Sequence, residues 1–158
     1  VLELVQQQGV ADRLEVEVVP GVPALMAAAA LLGAPLVHDF AAISLSDLLT
    51  PWEKIEQRIS LAARADFVLG IYNPRSRRRT WQLPRAMELL LQEKSPHTPV
   101  GLVRQAYREG QAIHCCTLQS LDPESVDMLS ILIVGNSSTY LQNGRLITPR
   151  GYFAKYGS

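Results

Sequence analysis

Residues 66–72, with the sequence DFVLGIY, form a short run that is apolar at nearly every position after the first. A strand with one face in water alternates apolar and polar side chains, so a continuous apolar run is typical of a strand buried on both faces. Such a strand needs structure above and below it. The run therefore predicts a sheet inside a layered domain.

Helical patterns alternate with the other apolar runs. A helix predicted over residues 22–35 is apolar on every face, so we expect both of its sides to be covered. Two amphipathic helices are predicted over residues 50–65, with Thr50 as N-cap, and about 80–93. Further strands are predicted over residues 14–21, 40–47, 98–105, 111–118 and 129–135, followed by a small hairpin that turns at Asn143-Gly144. This order predicts an α/β fold, a layered α/β/α domain with a mixed sheet of five to six strands.

The bulk composition excludes several function classes. Fifteen basic residues balance fifteen acidic ones, so the chain has no overall attraction for nucleic acid or an anionic membrane. The longest apolar stretch, residues 22–36, is shorter than the roughly 20 residues of a membrane-spanning helix. Cys115 and Cys116 are adjacent and cannot form a disulfide framework, which favours a reducing cytoplasmic location. No zinc-binding pattern is present, and we predict no metal site.

Polar loops follow several apolar strands directly. They are residues 72–76 (YNPRS), 104–110 (RQAYREG) and 135–139 (GNSST). Ligands of open α/β sheets collect at the carboxyl ends of the strands. We therefore expect these three loops to lie together.

The first of these loops continues into a cluster of arginines. Asn73-Pro74 predicts a turn, and Arg75, Arg77, Arg78 and Arg79 come directly after it. Guanidinium groups so close together repel one another unless they are solvated or paired with anions, and arginine suits bidentate binding of carboxylate or phosphate. The loop is therefore either a solvated basic loop or an anion-binding site.

Other candidate residues lie outside this loop. His38-Asp39 is a possible acid–base pair or a turn, and Ser44 with Ser46 lies on one face of a strand end, suited to hydrogen bonding with a ligand or the backbone. No GxGxxG, Walker A, GxSxG or HExxH pattern occurs. The residues alone indicate an α/β ligand-binding domain with an anion-seeking loop.

Longer segments carry a family resemblance. The stretches HDFAAISLSDLLTPW, YNPRSRRRTWQL, PVGLVRQAYREGQ and LDPESVDMLSILIVGNSST, in this order, resemble the precorrin-3B C(17)-methyltransferase (cobalt-factor III methyltransferase) family of cobalamin biosynthesis, within the tetrapyrrole methylase superfamily. The resemblance implies S-adenosylmethionine as cofactor, a corrinoid precursor as substrate and a homodimer of two-domain subunits. Residues 1–10 resemble the helix that leads out of an N-terminal domain, and residues 11–158 resemble the C-terminal domain, which is expected to be inactive alone.

The resemblance also assigns roles to individual positions. It implies cofactor contacts at Pro23, Ala24, Tyr72, Asn73, Arg104, Gln105 and Ala106. Relatives usually carry Thr at the position of Pro23, which removes a hydroxyl and an N–H there. Substrate carboxylates are assigned to Arg75, the preferred residue, and Arg77, with Ser44 and Ser46 beside them. His38 and Asp39 are candidates for the proton transfers of ring contraction.

A second hypothesis from a different class is also open. The chain is alternatively a stand-alone tetrapyrrole-binding or dimerisation module that performs no chemistry.

Overall fold

The computed structural model describes residues 1–152 and 155, in which four α-helices and eight strands form. The helices are α1 (Leu2–Gln7), α2 (Ala24–Leu32), α3 (Trp52–Arg64) and α4 (Gln82–Glu93). The strands are β1 (Gly33–Ala34), β2 (Phe40–Ser44), β3 (Val68–Tyr72), β4 (Pro99–Arg104), β5 (Ala112–Thr117), β6 (Ser130–Val134), β7 (Tyr140–Gln142) and β8 (Arg145–Ile147). Positions 153, 154 and 156–158, at the end of the predicted 11–158 domain, lie outside the described residues.

The main sheet has five strands in the order β2-β3-β6-β4-β5. β2 and β3 are parallel, whereas β6 lies between β3 and β4 and is antiparallel to both. β2, β3 and β4 therefore end at the same edge of the sheet, and β6 begins there. We call this edge the carboxyl edge.

Helices cover both faces of this sheet. α2 packs on one face, where Leu25 and Leu32 join a cluster with Val68, Val103 and Ile133. α3 and α4 cover the other face, with buried side chains that include Ile55, Ile59, Leu89 and Leu90. β3 and β6 are buried along nearly their whole length, as the apolar runs require. The prediction of a layered α/β/α fold with a mixed sheet is confirmed.

Two glycines let α2 approach the sheet closely. A Cβ at Gly70 would lie 2.5 Å from a methyl group of Leu25, and one at Gly101 would lie 2.4 Å from a methyl group of Leu32. Neither distance is compatible with van der Waals packing, so only glycine fits beneath the helix in its present position. The helix ends at Gly33, whose φ of 123° is not a conformation for other residues.

Two predictions about the first 32 residues are wrong. Residues 14–21 are not a strand: they pair with no other strand in the described chain, and Val18 and Val19 are exposed. β-branched residues favour an extended backbone, but a strand also needs a partner. The expectation that α2 is covered on both sides also fails within residues 1–152 and 155, since Met26 and Ala30 are exposed.

A smaller sheet of three strands lies near the end of the described chain. Its order is β1-β8-β7, and β7 and β8 turn at Asn143 and Gly144, both with positive φ, as predicted for an Asn-Gly hairpin. The buried Thr148 hydroxyl donates to the Pro35 carbonyl at 2.7 Å and lies 2.8 Å from the Thr139 hydroxyl.

The start of α3 and the lengths of the helices also bear on the predictions. Thr50 does not cap α3, because Pro51 occupies the N-cap position and no side chain accepts a hydrogen bond there. Within residues 1–152 and 155, no helix combines the length and the apolar character needed to cross a bilayer.

Candidate functional site

The carboxyl edge is joined to the first turn of α2 by a hydrogen bond. The main-chain N–H of Leu25 donates to the Tyr72 hydroxyl at 3.0 Å, which satisfies one of the N–H groups that every helix leaves free at its start. Tyr72 and Ala106 both pack against the apolar cluster that contains Leu25. The start of α2, the end of β3 and the loop after β4 therefore meet on the α2 side of the sheet.

The backbone is unusual at the same place. Asn73 and Gln105, which come directly after β3 and β4, have φ of 48°, and Tyr107 has φ of 56°. Residues other than glycine rarely adopt the left-handed backbone region, and those that do cluster at functional sites. Because only β6 separates β3 from β4, the two turns lie about 10 Å apart, two strand spacings. The two turns thus lie side by side at the carboxyl edge.

Free peptide groups lie at the carboxyl edge. Within residues 1–152 and 155, the main-chain N–H of Ala24 and the N–H and C=O of Ala106 have no hydrogen-bond partner. Both side chains are small, so these peptide groups are open to a ligand. A nucleoside presents donors and acceptors that such groups can bind. These N–H and C=O groups therefore fit a ligand that is bound through hydrogen bonds to the main chain.

Ser44 and Ser46 lie at the carboxyl edge, where the Ser44 hydroxyl is hydrogen-bonded within the protein. The Ser44 hydroxyl accepts hydrogen bonds from the Asn73 side-chain amide at 3.0 Å and from the Ser46 N–H at 3.2 Å. These bonds tie the loop after β2 to the turn after β3. Of the two roles open to Ser44, hydrogen bonding to the protein is the one that the structure shows.

Arg104 is held by an acidic residue that sequence reasoning missed. Its Nε donates to Asp127 at 2.7 Å, and Asp127 also accepts hydrogen bonds from the Leu129 N–H and the Ser130 hydroxyl. Partial burial favours a raised pKa for Asp127, but these hydrogen bonds and the charge of Arg104 outweigh it and hold the pKa below its usual value. Asp127 therefore orders the carboxyl edge in its ionised form.

We predict that this network makes the stability depend on acid pH. A carboxyl whose pKa is lower in the folded state stabilises the fold above its unfolded pKa of about 3.9, and the contribution is lost as the pH falls through the folded value. Asp127→Asn should therefore lower the free energy of unfolding more at pH 7 than at pH 3, measured by urea denaturation. Asp12→Asn, at an exposed position, is the control. An equal loss at both pH values would contradict the role of the charge.

A cavity of about 730 Å³ opens at the same edge. Residues 75–78 and Thr80 form one wall, and residues 126–129 form the other. Val126, Met128 and Leu129 give the second wall an apolar surface, with Met128 and Leu129 largely exposed. The cavity thus combines an apolar surface with guanidinium groups. It suits a flat apolar body that carries acidic substituents.

Arg75, the preferred substrate contact from the sequence, already has partners. Its guanidinium donates to the Pro123 carbonyl at 2.7 Å and to Glu124 at 2.6 Å, and only 14% of its side chain is exposed. Arg79 donates to the Asn73 carbonyl at 2.8 Å. Two of the four arginines are therefore bound within the chain.

Other predicted residues lie at the opposite edge. His38 and Asp39 precede β2, so the five residues of β2, about 17 Å, separate them from Ser44. The GNSST loop also lies there, contrary to the expectation that the three loops meet, because β6 runs antiparallel to β3 and β4. In that loop Ser137 donates hydrogen bonds to Asp66, which lies two residues before the start of β3. The structure does not bring these residues to the cofactor positions.

Sequence reasoning also missed Tyr107, Met128 and Leu129. The apolar pair directly before the buried strand β6 is a signal in the sequence, since exposed apolar residues often mark a ligand surface. Tyr107 carried no signal, because its left-handed backbone depends on the turn that follows β4.

Comparison with known proteins identifies the family. The family model of Tetrapyrrole (Corrin/Porphyrin) Methylases matches residues 2–122, more than half of the chain. The chain belongs to the tetrapyrrole methylase family. This confirms the resemblance found in the sequence motifs. The fold agrees, since the crystal structure of the methyltransferase CobJ aligns with a TM-score of 0.89 at 39% identity and covers 94% of this tetrapyrrole methylase chain.

Similar proteins carry more specific names. A Salmonella typhimurium protein named probable cobalt-factor III C(17)-methyltransferase is 56% identical over 152 residues, which are 96% of this chain and 62% of that protein. The cobalt-factor III methyltransferase of Priestia megaterium is 51% identical over 143 residues, 90% of this chain and 26% of that protein. This tetrapyrrole methylase chain therefore spans less than two thirds of these relatives, and 62% of the CobJ chain.

Proposed function

We propose that the chain acts in S-adenosylmethionine-dependent methyl transfer to C-17 of cobalt-factor III or precorrin-3B in cobalamin biosynthesis. The supporting observation is that free peptide groups at Ala24 and Ala106 and an arginine-walled cavity both lie at the carboxyl edge of a tetrapyrrole methylase fold. Relatives of 56% and 51% identity bear names with this activity.

The cofactor is assigned to the α2 side of the carboxyl edge. It would be surrounded by six of the predicted residues, namely Pro23, Ala24, Tyr72, Asn73, Gln105 and Ala106. Arg104, the residue before Gln105, is hydrogen-bonded to Asp127. S-adenosylmethionine, when bound, supplies an electrophilic methyl group. The small residues and the main-chain groups bind and orient the adenosyl part.

The substrate is assigned to the cavity between residues 75–80 and 126–129. Methyl transfer to an electron-rich carbon needs alignment and exclusion of water more than a strong base. The apolar wall of Val126, Met128 and Leu129 provides a surface for the macrocycle and removes water from it. No acid or base for ring contraction is assigned, since His38 and Asp39 lie at the other edge.

Partners and location belong to the same proposal. We infer that a second domain closes over the carboxyl edge and that the subunit works as a homodimer in the cytoplasm. Exposed apolar residues on the outer side of α2 and in residues 14–22 support a covering partner, and the free cysteines support a reducing compartment.

The test is methyl transfer by the full-length protein. Incubation with S-adenosylmethionine carrying a labelled methyl group and with cobalt-factor III should give a product that holds one labelled methyl at C-17, located by NMR. Tight binding of both compounds without transfer would instead support the stand-alone binding module. Transfer to a different ring carbon would contradict the proposed position.

A further inference from the structure

The arginine loop contains a closed turn. The Ser76 N–H donates to the Arg79 carbonyl at 3.0 Å, and the Ser76 hydroxyl accepts from the N–H groups of Arg78 and Arg79. Arg77 and Arg78 therefore occupy the two central positions of a turn that begins at Ser76 and ends at Arg79. Side chains at the centre of such a turn project from its tip.

Both ends of the turn are fixed by the other two arginines. Arg75, next to Ser76, binds the Pro123 carbonyl and Glu124, which attaches the loop to the segment before β6. Arg79, at the far end, binds the Asn73 carbonyl and so attaches the turn to the end of β3. The turn is held on two independent sides, and its tip is placed by the protein before any ligand arrives.

The two arginines at the tip differ from the other two. Among the residues that the structure describes, no ion pair or hydrogen bond involves the side chains of Arg77 and Arg78, and both line the 730 Å³ cavity. Adjacent guanidinium groups repel each other, and the turn holds them together nonetheless. A ligand with two acidic groups would relieve this repulsion.

We propose that Arg77 and Arg78 bind peripheral carboxylates of the macrocyclic substrate, while Arg75 and Arg79 position the turn. The inference rests on the proposed function and makes it more specific. The proposed site would bind a substrate whose apolar ring lies against Val126, Met128 and Leu129 and whose free carboxylates reach the tip of the turn. The inference keeps Arg77 as a substrate contact, adds Arg78, and gives Arg75, the residue preferred from the sequence, a positioning role.

The test is a pair of matched double variants of the full-length protein. Arg77→Ala/Arg78→Ala removes the two arginines at the tip. Arg13→Ala/Arg58→Ala removes the same charge from two exposed positions whose side chains have no ion pair or hydrogen bond among the described residues. The probes are cobyrinic acid, with free carboxylates, and its heptamethyl ester. Two exposed ion pairs together contribute about a tenfold affinity difference. We expect the tip variant to bind the acid about tenfold more weakly, to bind the ester unchanged, and to lose most of the salt dependence of acid binding.

The positioning role has a separate readout. Arg75→Ala should weaken acid binding because the turn loosens, but it should keep a preference for acid over ester, since Arg77 and Arg78 remain. Acid binding that is unchanged in the tip variant while methyl transfer proceeds would overturn the inference and leave the proposed function intact. Absence of methyl transfer and of cofactor binding in the unmodified protein would overturn the proposed function instead.

Discussion

Ala24→Trp in the full-length protein should weaken S-adenosylmethionine binding about a hundredfold, which corresponds to about 2.7 kcal/mol. Ala24 begins α2, is exposed, and lies next to the hydrogen bond that joins Leu25 to Tyr72. An indole at this position would fill the space beside the free peptide groups and block the adenosyl part. Since Ala24 is exposed, the fold should tolerate the change. Isothermal titration calorimetry measures the effect.

Leu61→Trp is the control for this substitution. Leu61 is also exposed and lies on α3, which covers the other face of the sheet from α2. It should leave the cofactor affinity within about twofold, on the reasoning that distant surface changes have small effects. Equal losses for both variants, or no loss for Ala24→Trp, would argue against a cofactor site at the start of α2.

The second large effect concerns the contact between α2 and the sheet. Leu32 is fully buried, and its methyl groups occupy the position that a Cβ on Gly101 would need. Leu32→Ala should lower the free energy of unfolding by about 2–5 kcal/mol through the cavity it leaves. Gly101→Ala should lower it by about 1–3 kcal/mol through overpacking. Urea denaturation at pH 7 measures both.

The double variant distinguishes a direct contact from two separate defects. With Ala at position 32, the new Cβ at position 101 has room, so the combined loss should fall short of the sum by about 1 kcal/mol. Gly21→Ala, where a Cβ meets nothing within 4 Å, is the control for adding a methyl group. Fully additive losses would show that α2 does not rest on Gly101 as described.

Most of the fold could be predicted because burial leaves a pattern in the sequence. β3 and β6 are apolar throughout and lie in the centre of the sheet, and α3 and α4 show one wet and one buried face. Residues 14–21 have the same composition as a strand yet pair with nothing in the described chain. Their pattern reports an extended backbone, and pairing depends on a partner that no local pattern specifies.

The candidate site was predictable only in part. The polar loops at strand ends indicated Asn73 and Gln105, but a linear pattern does not show that β6 runs antiparallel between β3 and β4. That direction brings Asp127 to the carboxyl edge and takes the GNSST loop away from it. The arginine cluster was visible, whereas its division into bound and free side chains depends on Glu124 and Asn73, which are 49 and 6 residues from their partners.

A crystal structure of the full-length protein with S-adenosylhomocysteine tests the central claim most directly. The account predicts that the adenosyl part lies at the carboxyl edge, with hydrogen bonds to the main chain of Ala106 and contacts with Ala24 and Tyr72. A ligand bound at the opposite edge, near Asp66 and Ser137, would contradict it.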